Sequence, residues 1–182
     1  LVSSVINNIE KSELVETKGN LSEVLVYWGI EELTLLNRLV KFNKLLPSPI
    51  TANYNWPGLF KPFDHQKVTS AFLSINMRAF CFNEAGTGKT SSVIWAADYL
   101  MNQNIIKKVL VVCPLSIMYS AWQADIFKTA MHRRVAVAYG NPDKRKKILN
   151  GDYEFIIMNY DGVNIVFNEL EKIGFDLIVI DE

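Results

Sequence analysis

The spacing of apolar residues changes along the chain between a helical pattern and a strand pattern. Apolar positions three and four residues apart predict helices from residue 64 to about 76, from residue 89, and again after residues 116, 141 and 160. Short apolar runs predict strands at residues 79–82, 108–113, 135–139, 155–158 and 176–180. Strands that alternate with helices in this way indicate an α/β fold with a parallel sheet and right-handed crossovers.

Three polar positions are predicted to begin helices. Asp64 and Ser116 each stand just before a helical stripe, where a short oxygen-bearing side chain can accept a hydrogen bond from the first free N–H groups. Asn141 is followed by Pro142, the arrangement of an N-cap with proline at the first helical position.

The first fifty residues carry a weaker pattern than the rest. A helix is predicted over residues 31–44, whereas residues 21–28 fit either a strand or a helix. Prolines are concentrated at residues 46–62 and indicate an extended connector. We therefore divide the chain into an N-terminal appendage at residues 1–50, whose simplest role is packing, and a main domain at residues 51–182.

A glycine-containing loop lies between the predicted strand at residues 79–82 and the helix that begins near Lys89. Gly86 and Gly88 permit backbone conformations that a Cβ disfavours, so successive N–H groups can converge on an anion. The helix start adds unpaired N–H groups and the positive end of the helix dipole. These features are typical of a phosphate-binding loop, in which Lys89 reaches the β- and γ-phosphates and the Thr90 hydroxyl ligates Mg²⁺.

The predicted nucleotide-binding residues of this loop are Glu84, Ala85, Gly86, Thr87, Gly88, Lys89 and Thr90. Asn83 departs from the strict motif, which has a glycine at that position. The alternative interpretation is a glycine turn that joins a strand to a helix and is followed by Lys-Thr by coincidence.

Two carboxylates, Asp181 and Glu182, end the last predicted strand. Asp181 can share a Mg²⁺ ion with Thr90, and Glu182 can polarise an attacking water. With the phosphate-binding loop upstream, the pair predicts nucleotide hydrolysis with Lys89, Asp181 and Glu182 as the catalytic residues. The alternative is a solvated pair of acids at the end of a strand.

Gln66 lies in the first turn of the helix that precedes the loop. Its amide can donate and accept at once, which suits the N6/N7 edge of adenine, although a glutamine on a helix is more often simply solvated. In open α/β sheets, ligands bind at the carboxyl ends of the strands. We therefore expect four segments to line one edge of the sheet: residues 83–90, 114–116, 159–160 and 181–182.

Composition and charge limit the classes of protein to which the chain can belong. Its 182 residues are enough for one substantial domain with a small appendage, and 49% hydrophobic residues support a real core. The 19 basic and 19 acidic residues cancel, so any contact with nucleic acid has to come from local clusters such as residues 132–134 or 144–147. Each cluster can equally be a solvated surface.

Signals for export or membrane insertion are missing from the sequence. The 2 cysteines lie in apolar runs, and no signal peptide or long apolar segment is present. We expect a reduced, cytoplasmic protein that does not enter a membrane. The chain starts at Leu1 and stops at Glu182 inside a motif, from which we expect a fragment of a longer protein.

Several of these segments occur in the order of the superfamily-two helicase motifs. Their sequences resemble those of the Swi/Snf-type DNA translocases, particularly phage and bacterial members. The segments are Gln66, Asn83 to Thr90, Cys113 to Ser116 with Trp122, Asn159-Tyr160, and Ile178 to Glu182. The resemblance covers roughly residues 60–182.

The resemblance implies a RecA-like, three-layer P-loop NTPase lobe that uses ATP and Mg²⁺ and moves on or remodels DNA. It implies that Gln66 reads adenine. It also implies that five residues face the nucleic acid through sequence-independent backbone contacts: Pro114, Leu115, Ser116, Asn159 and Tyr160. The lobe would be truncated within helicase motif II, the segment that ends at Asp181-Glu182. A second RecA-like lobe with its arginine fingers would be missing. We therefore expect the isolated chain to be nearly inactive as an ATP hydrolase.

Two other functions share part of the signal. An AAA-type ATPase that remodels protein partners has the same loop and acid pair, but it does not need Gln66 upstream or the Pro-Leu-Ser segment. A nucleotide-binding fragment without catalysis is the other alternative.

The expected location of the protein is the cytoplasm of a bacterium or of a phage-infected cell.

Overall fold

The computed structural model describes residues 1–42 and 46–181. The chain folds into two compact units, Leu1–Tyr54 and Asn55–Glu182. None of the helices within the described residues is long and apolar enough to cross a membrane.

The first unit is a small helix and hairpin assembly. Its elements are α1 (Val2–Asn8), β1 (Ser12–Lys18), β2 (Leu21–Val26), α2 (Ile30–Leu39) and α3 (Ile50–Asn53). The two strands pair antiparallel, so residues 21–28 form mainly a strand. Val5 and Ile9 pack against Leu36 of α2 in a small apolar core.

The helix predicted over residues 31–44 is shorter than expected. It ends at Leu39, because Val40 takes an extended conformation while its N–H still donates to the carbonyl of Leu36. The prediction is therefore wrong for residues 40–42, and residues 43–45 lie outside the described part of the chain.

The second unit is built on a four-stranded sheet. The strands are β3 (Val109–Cys113), β4 (Val135–Val137), β5 (Phe155–Asn159) and β6 (Leu177–Ile180), in the order β4-β5-β3-β6. All three pairings are parallel. The predicted α/β fold with a parallel sheet is confirmed.

Helices cover both faces of this sheet. Its helices are α4 (Asp64–Ile75), α5 (Lys89–Asn102), α6 (Ala124–Thr129), α7 (Pro142–Leu149), α8 (Tyr160–Ile165) and α9 (Phe167–Ile173). Alternate residues of β3 enter opposite cores: Val109 and Val111 pack with α5 and α6, whereas Leu110 and Val112 pack with α7, α8 and α9. The helix α4 packs on α5, and the Ser70 hydroxyl donates to the carbonyl of Ser92 at 2.9 Å.

Residues 79–82 do not form the predicted strand. Phe80 and Phe82 are 81% and 88% exposed and stack on each other. Edge strand β6 pairs with β3, and among the described residues no strand pairs with its other side. An apolar run becomes a strand only where a partner completes its hydrogen bonds, and the described residues supply none for this segment.

Three helix boundaries also differ from expectation. Phe63 occupies the N-cap position of α4, so Asp64 is the first helical residue and not the cap. Ser116 caps no helix, because residues after β3 form a 3-10 turn (Leu115–Ile117) and then a π-helical segment (Met118–Gln123) before α6 begins. The helix predicted after residue 160 breaks at Val166 into α8 and α9. The Asn141 cap is confirmed: its side chain accepts the N–H of Lys144.

Candidate nucleotide site at the carboxyl ends of the strands

The loop before α5 has the backbone that its sequence predicts. Gly86 and Gly88 have φ values of +77° and +74°, a region that residues with a Cβ rarely adopt. A Cβ at Gly88 would also meet Nε2 of Gln66, whose side chain would have to shift. Gly88 is the N-cap of α5.

The position of α5 directs this loop towards one edge of the sheet. A short connection joins the end of α5 to the start of β3, and the helix shares a core with this strand. The helix therefore runs antiparallel to the strands, and its first residue, Lys89, lies towards their carboxyl ends, where ligands of open α/β sheets bind. We call the ends of β3, β5 and β6, with Cys113, Asn159 and Asp181, the carboxyl rim.

The ammonium group of Lys89 is held inside the loop. It donates to the carbonyl oxygens of Asn83 at 2.8 Å and Glu84 at 3.1 Å. The Thr87 hydroxyl also donates to the carbonyl of Glu84, at 2.8 Å. Lys89 is thus bonded to neutral acceptors, which an anionic phosphate oxygen can replace with a stronger, charge-assisted bond.

Gln66 joins the start of α4 to the phosphate-binding loop. Its Oε1 accepts the N–H of Phe63 at 2.9 Å, and its Nε2 lies 3.4 Å from the carbonyl oxygen of Thr87. His65 contacts the same carbonyl at 3.0 Å through Nε2. The structure therefore gives Gln66 a structural task beside the loop, and its predicted contact with adenine stays a prediction.

Asp181 is held at the carboxyl rim by three groups. Its N–H donates to the carbonyl of Val112 at 2.9 Å. The Tyr160 hydroxyl donates to its carbonyl oxygen, and Nε1 of Trp122 donates to its Oδ2 at 2.8 Å. Trp122 belongs to one of the segments that resemble the Swi/Snf-type motifs, but no local sequence pattern predicts its contact with Asp181.

The thiol of Cys113 is buried and interacts electrostatically with this carboxylate. Burial and, secondly, the negative charge of Asp181 raise the pKa of Cys113 to about 11. A thiol with so high a pKa stays protonated near neutral pH and is a poor metal ligand or nucleophile. Cys113 is therefore part of the core and not of the candidate chemistry.

The donor groups predicted for a metal ion suit Mg²⁺. The hydroxyl of Thr90 and the carboxylate of Asp181 are oxygen ligands, which this cation prefers. Within residues 1–42 and 46–181, no group of three or more His, Cys, Asp or Glu side chains is arranged to hold a metal. The chemistry of the pair fits a Mg²⁺ ion that takes most of its ligands from phosphates and water. Glu182, the predicted catalytic partner, lies outside the described residues.

The residues predicted to face nucleic acid differ in accessibility. Leu115, Ser116 and Tyr160 are exposed, and Pro114 is partly exposed. Asn159 is 6% exposed, and its Oδ1 accepts two N–H groups of Arg145 at 3.2 Å. This burial disfavours a direct contact of the Asn159 side chain with nucleic acid, which stays a prediction for the other four residues.

Arg145 is a structural residue that sequence reasoning missed. It is 3% exposed and also donates to the carbonyl oxygens of Ala138 at 2.6 Å and Gly140 at 2.9 Å. The basic cluster at residues 144–147 is therefore not uniformly solvated. The signal was present, since Arg145 precedes the apolar residue Leu149 by four positions and so shares its helix face.

The other basic cluster, at residues 132–134, lies at the opposite ends of the strands. We call the residues that immediately precede the strands, with their ion-pair partners, the amino rim. There Arg133 donates through Nε to the fully buried Asp98 and through Nη1 to Glu154 at 2.8 Å. Arg133 is thus bound within the fold, far along the sheet from the candidate site.

Comparison with known proteins identifies the family. The SNF2-related domain matches residues 66–182. The SWI2/SNF2 ATPase core of Sulfolobus solfataricus in complex with dsDNA is similar with a TM-score of 0.63 and 25% identity over 70% of this chain. The ATPase core domain from the same organism gives a TM-score of 0.55 and 25% identity over 72% of this chain.

This chain spans 27% and 28% of those two solved chains. None of the curated proteins compared with it matches. The structural similarity confirms the predicted RecA-like fold, and the family match confirms the resemblance to Swi/Snf-type proteins. The chain belongs to the SNF2-related domain family.

Proposed function

We propose that the chain is the ATP-binding lobe of a DNA-dependent ATPase that couples ATP hydrolysis to movement on, or remodelling of, DNA. The observation that carries the proposal is the loop before α5, where two glycines with positive φ, a helix N-terminus and Lys89 meet. The family match and the similarity to an ATPase core solved with dsDNA support it. From the sequences of the motifs we infer that the protein comes from a phage or a bacterium and acts in the cytoplasm.

The residues of the loop have defined tasks in this proposal. The N–H groups from Glu84 to Thr90 surround the phosphates, and Lys89 moves from the carbonyls of Asn83 and Glu84 to phosphate oxygens. Thr90 and Asp181 would hold Mg²⁺, which would supply positive charge beside the phosphates. Gln66 reads adenine, and Glu182 polarises the attacking water.

Binding of nucleotide is the first test. ATP with Mg²⁺ at about 100 times its dissociation constant is expected to raise the free energy of unfolding by about 2.7 kcal/mol. Lys89→Ala should remove most of that gain, because the charge-assisted bonds to phosphate are lost. Lys128→Ala is the matched control, since the side chain of this half-exposed lysine forms an ion pair with Asp125 on α6, outside the phosphate-binding loop.

Thermal and urea unfolding with and without nucleotide measure both effects. An unchanged unfolding curve in saturating ATP and Mg²⁺ would contradict nucleotide binding. Stronger stabilisation by GTP than by ATP would leave phosphate binding intact but remove Gln66 from its adenine role.

Hydrolysis is the second test. An arginine finger contributes about 10³–10⁵ in rate, and we propose that a second RecA-like lobe supplies it. The 182-residue chain alone is therefore expected to hydrolyse ATP hardly at all. In a longer protein that contains both lobes, Glu182→Gln should abolish turnover and keep ATP binding. Brisk, DNA-stimulated phosphate release by the chain alone would show that it already contains the complete catalytic set.

A further inference from the structure

We propose that Trp122 is a positioning residue for the metal-binding carboxylate of Asp181. The inference rests on the proposed function, since it assigns to Trp122 the task of orienting a ligand of the Mg²⁺ ion that accompanies ATP. The observation that supports it is the hydrogen bond that Nε1 of Trp122 donates to Oδ2 of Asp181 at 2.8 Å.

Packing in the core holds the indole in place independently of its hydrogen bond to the carboxylate. Trp122 is 2% exposed and packs in the same core as Met118 and Cys113. A buried ring of this size has no freedom to swing away, so its N–H points in one direction. The direction of that N–H determines the orientation of the carboxylate group.

The backbone of Asp181 is fixed separately. Its N–H donates to the carbonyl of Val112, and its carbonyl accepts the hydroxyl of Tyr160. With the main chain held by these two bonds, the indole has only to set the side-chain torsions. The indole N–H donates to Oδ2, and we assign Oδ1 to the metal ion or a water.

The chemistry of the donor suits this task. An indole N–H is uncharged and donates without accepting, so it orients the carboxylate and leaves its negative charge uncancelled. A lysine or arginine in the same place would compete with a cation for that charge. Hydrogen-bond partners behind a metal ligand are worth about 10–100-fold in metal affinity or activity.

The local backbone brings the indole to this place. Trp122 lies in the π-helical segment Met118–Gln123, where hydrogen bonds span five residues and not four. The wider turn changes the angular position of the residues after it compared with a regular α-helix. Single π-helical turns within helices are frequent at functional sites.

The test compares two tryptophan-to-phenylalanine variants. Trp122→Phe keeps the aromatic bulk and removes the N–H. Trp95→Phe is the matched control, since Trp95 is also buried, at 3% exposed, and donates its Nε1–H to the carbonyl of Pro57 at 2.9 Å. Because Trp95 lies on α5, which carries the phosphate-binding loop, a general loosening of the site would appear in this control.

The measurement is the stabilisation by ATP as a function of Mg²⁺ concentration. For Trp122→Phe, the Mg²⁺ concentration that gives half of the effect is expected to rise about 10-fold or more. Stabilisation by ATP in EDTA should stay unchanged, and Trp95→Phe should follow the wild type in both conditions. Equal Mg²⁺ dependence of Trp122→Phe and wild type would overturn the positioning role while leaving the proposed function standing.

A measurement on the wild-type chain covers the case in which Trp122→Phe does not fold. A ¹⁵N-tryptophan-labelled sample should give one indole N–H signal for each of the 4 tryptophans, to be assigned with tryptophan-to-phenylalanine variants. Adding Mg²⁺ to the ATP-bound chain should shift the Trp122 signal more than that of Trp95, because the cation weakens the acceptor of its hydrogen bond. A Trp122 signal that does not respond to Mg²⁺ would overturn the proposal. Failure of ATP to stabilise the wild type at all would instead overturn the proposed function.

Discussion

The amino rim and the carboxyl rim of the same sheet use charged residues in opposite ways. At the amino rim, the guanidinium of Arg133 is bonded to two carboxylates, those of Asp98 and Glu154. At the carboxyl rim, the carboxylate of Asp181 is held by an indole, and in the loop directed towards this rim the ammonium of Lys89 is held by backbone carbonyls. Arg133 and its two carboxylates neutralise one another within the fold, whereas Asp181 and Lys89 are bonded to uncharged groups and remain available to a ligand.

The pKa values at the amino rim show how strongly its groups interact. Burial alone would raise the pKa of Glu154, but hydrogen bonds from the N–H of Arg134 and from Arg133 outweigh it and hold the pKa below its ordinary value. Burial likewise would lower the pKa of Arg133, but its bonds to Glu154 and Asp98 raise it. The network therefore favours the charged form of both groups.

The largest effect is expected from Asp98→Ala, which removes the ion pair between Asp98 and Arg133 at the amino rim. The change leaves a mostly buried guanidinium without one of its carboxylates and should lower the free energy of unfolding by about 3–5 kcal/mol. Asp152→Ala is the control, since Asp152 is 86% exposed and pairs with the exposed Arg134, a contact worth about 0–1 kcal/mol. Urea unfolding of both variants measures the difference. Similar losses in the two variants would mean that the buried network contributes no more than a surface pair.

The second effect concerns pH. The folded pKa of Glu154 lies below its value of 4.5 in the unfolded chain, so its stabilisation is present above that pH and is lost as the pH falls through the folded pKa. Glu154→Gln should therefore lower stability by about 1.5–3 kcal/mol at neutral pH, the usual worth of a hydrogen bond to a charged group.

The same variant should lose less further stability than the wild type on acidification. Urea midpoints measured between neutral pH and about pH 3 compare the two proteins over the range where the carboxylate titrates. Parallel pH profiles would show that the charge of Glu154 does not contribute to the amino rim.

The smallest effect is expected from contacts of the carboxyl rim with DNA. Residues 114–116 and Tyr160 offer polar and backbone groups that suit phosphates and sugars, which position a protein without reading bases. With a net charge of zero, the chain should bind duplexes weakly, with a log–log salt slope no steeper than about −3 for some three phosphates. Ser116→Ala should weaken this binding slightly, whereas Lys107→Ala, near the amino rim, should not.

Titration of fluorescent duplexes of unrelated sequence at several salt concentrations measures these values. Tight, sequence-selective binding that persists at high salt would contradict the proposed DNA contacts. Equal losses for Ser116→Ala and Lys107→Ala would remove the distinction between the two rims.

Some features of the molecule could be predicted from the sequence because they depend on residues close together in the chain. Alternating apolar runs and stripes predicted the parallel α/β fold, and two glycines before Lys89 predicted the positive φ values of the loop. The Asn141-Pro142 pair predicted the start of α7. Each of these features depends on preferences of the backbone and of neighbours within a few positions.

Other features were decided only when distant segments met. Trp122 reaches Asp181 across 59 residues, and Arg133 reaches Asp98 across 35. The apolar residues 79–82 remain outside the sheet, although their composition predicts a strand. Whether a charge is solvated or buried, and whether an apolar run finds a strand partner, depends on what the fold places beside it. The sequence determined the layers of the main domain and the shape of its loop, and the tertiary structure decided which polar groups neutralise one another and which stay free to act.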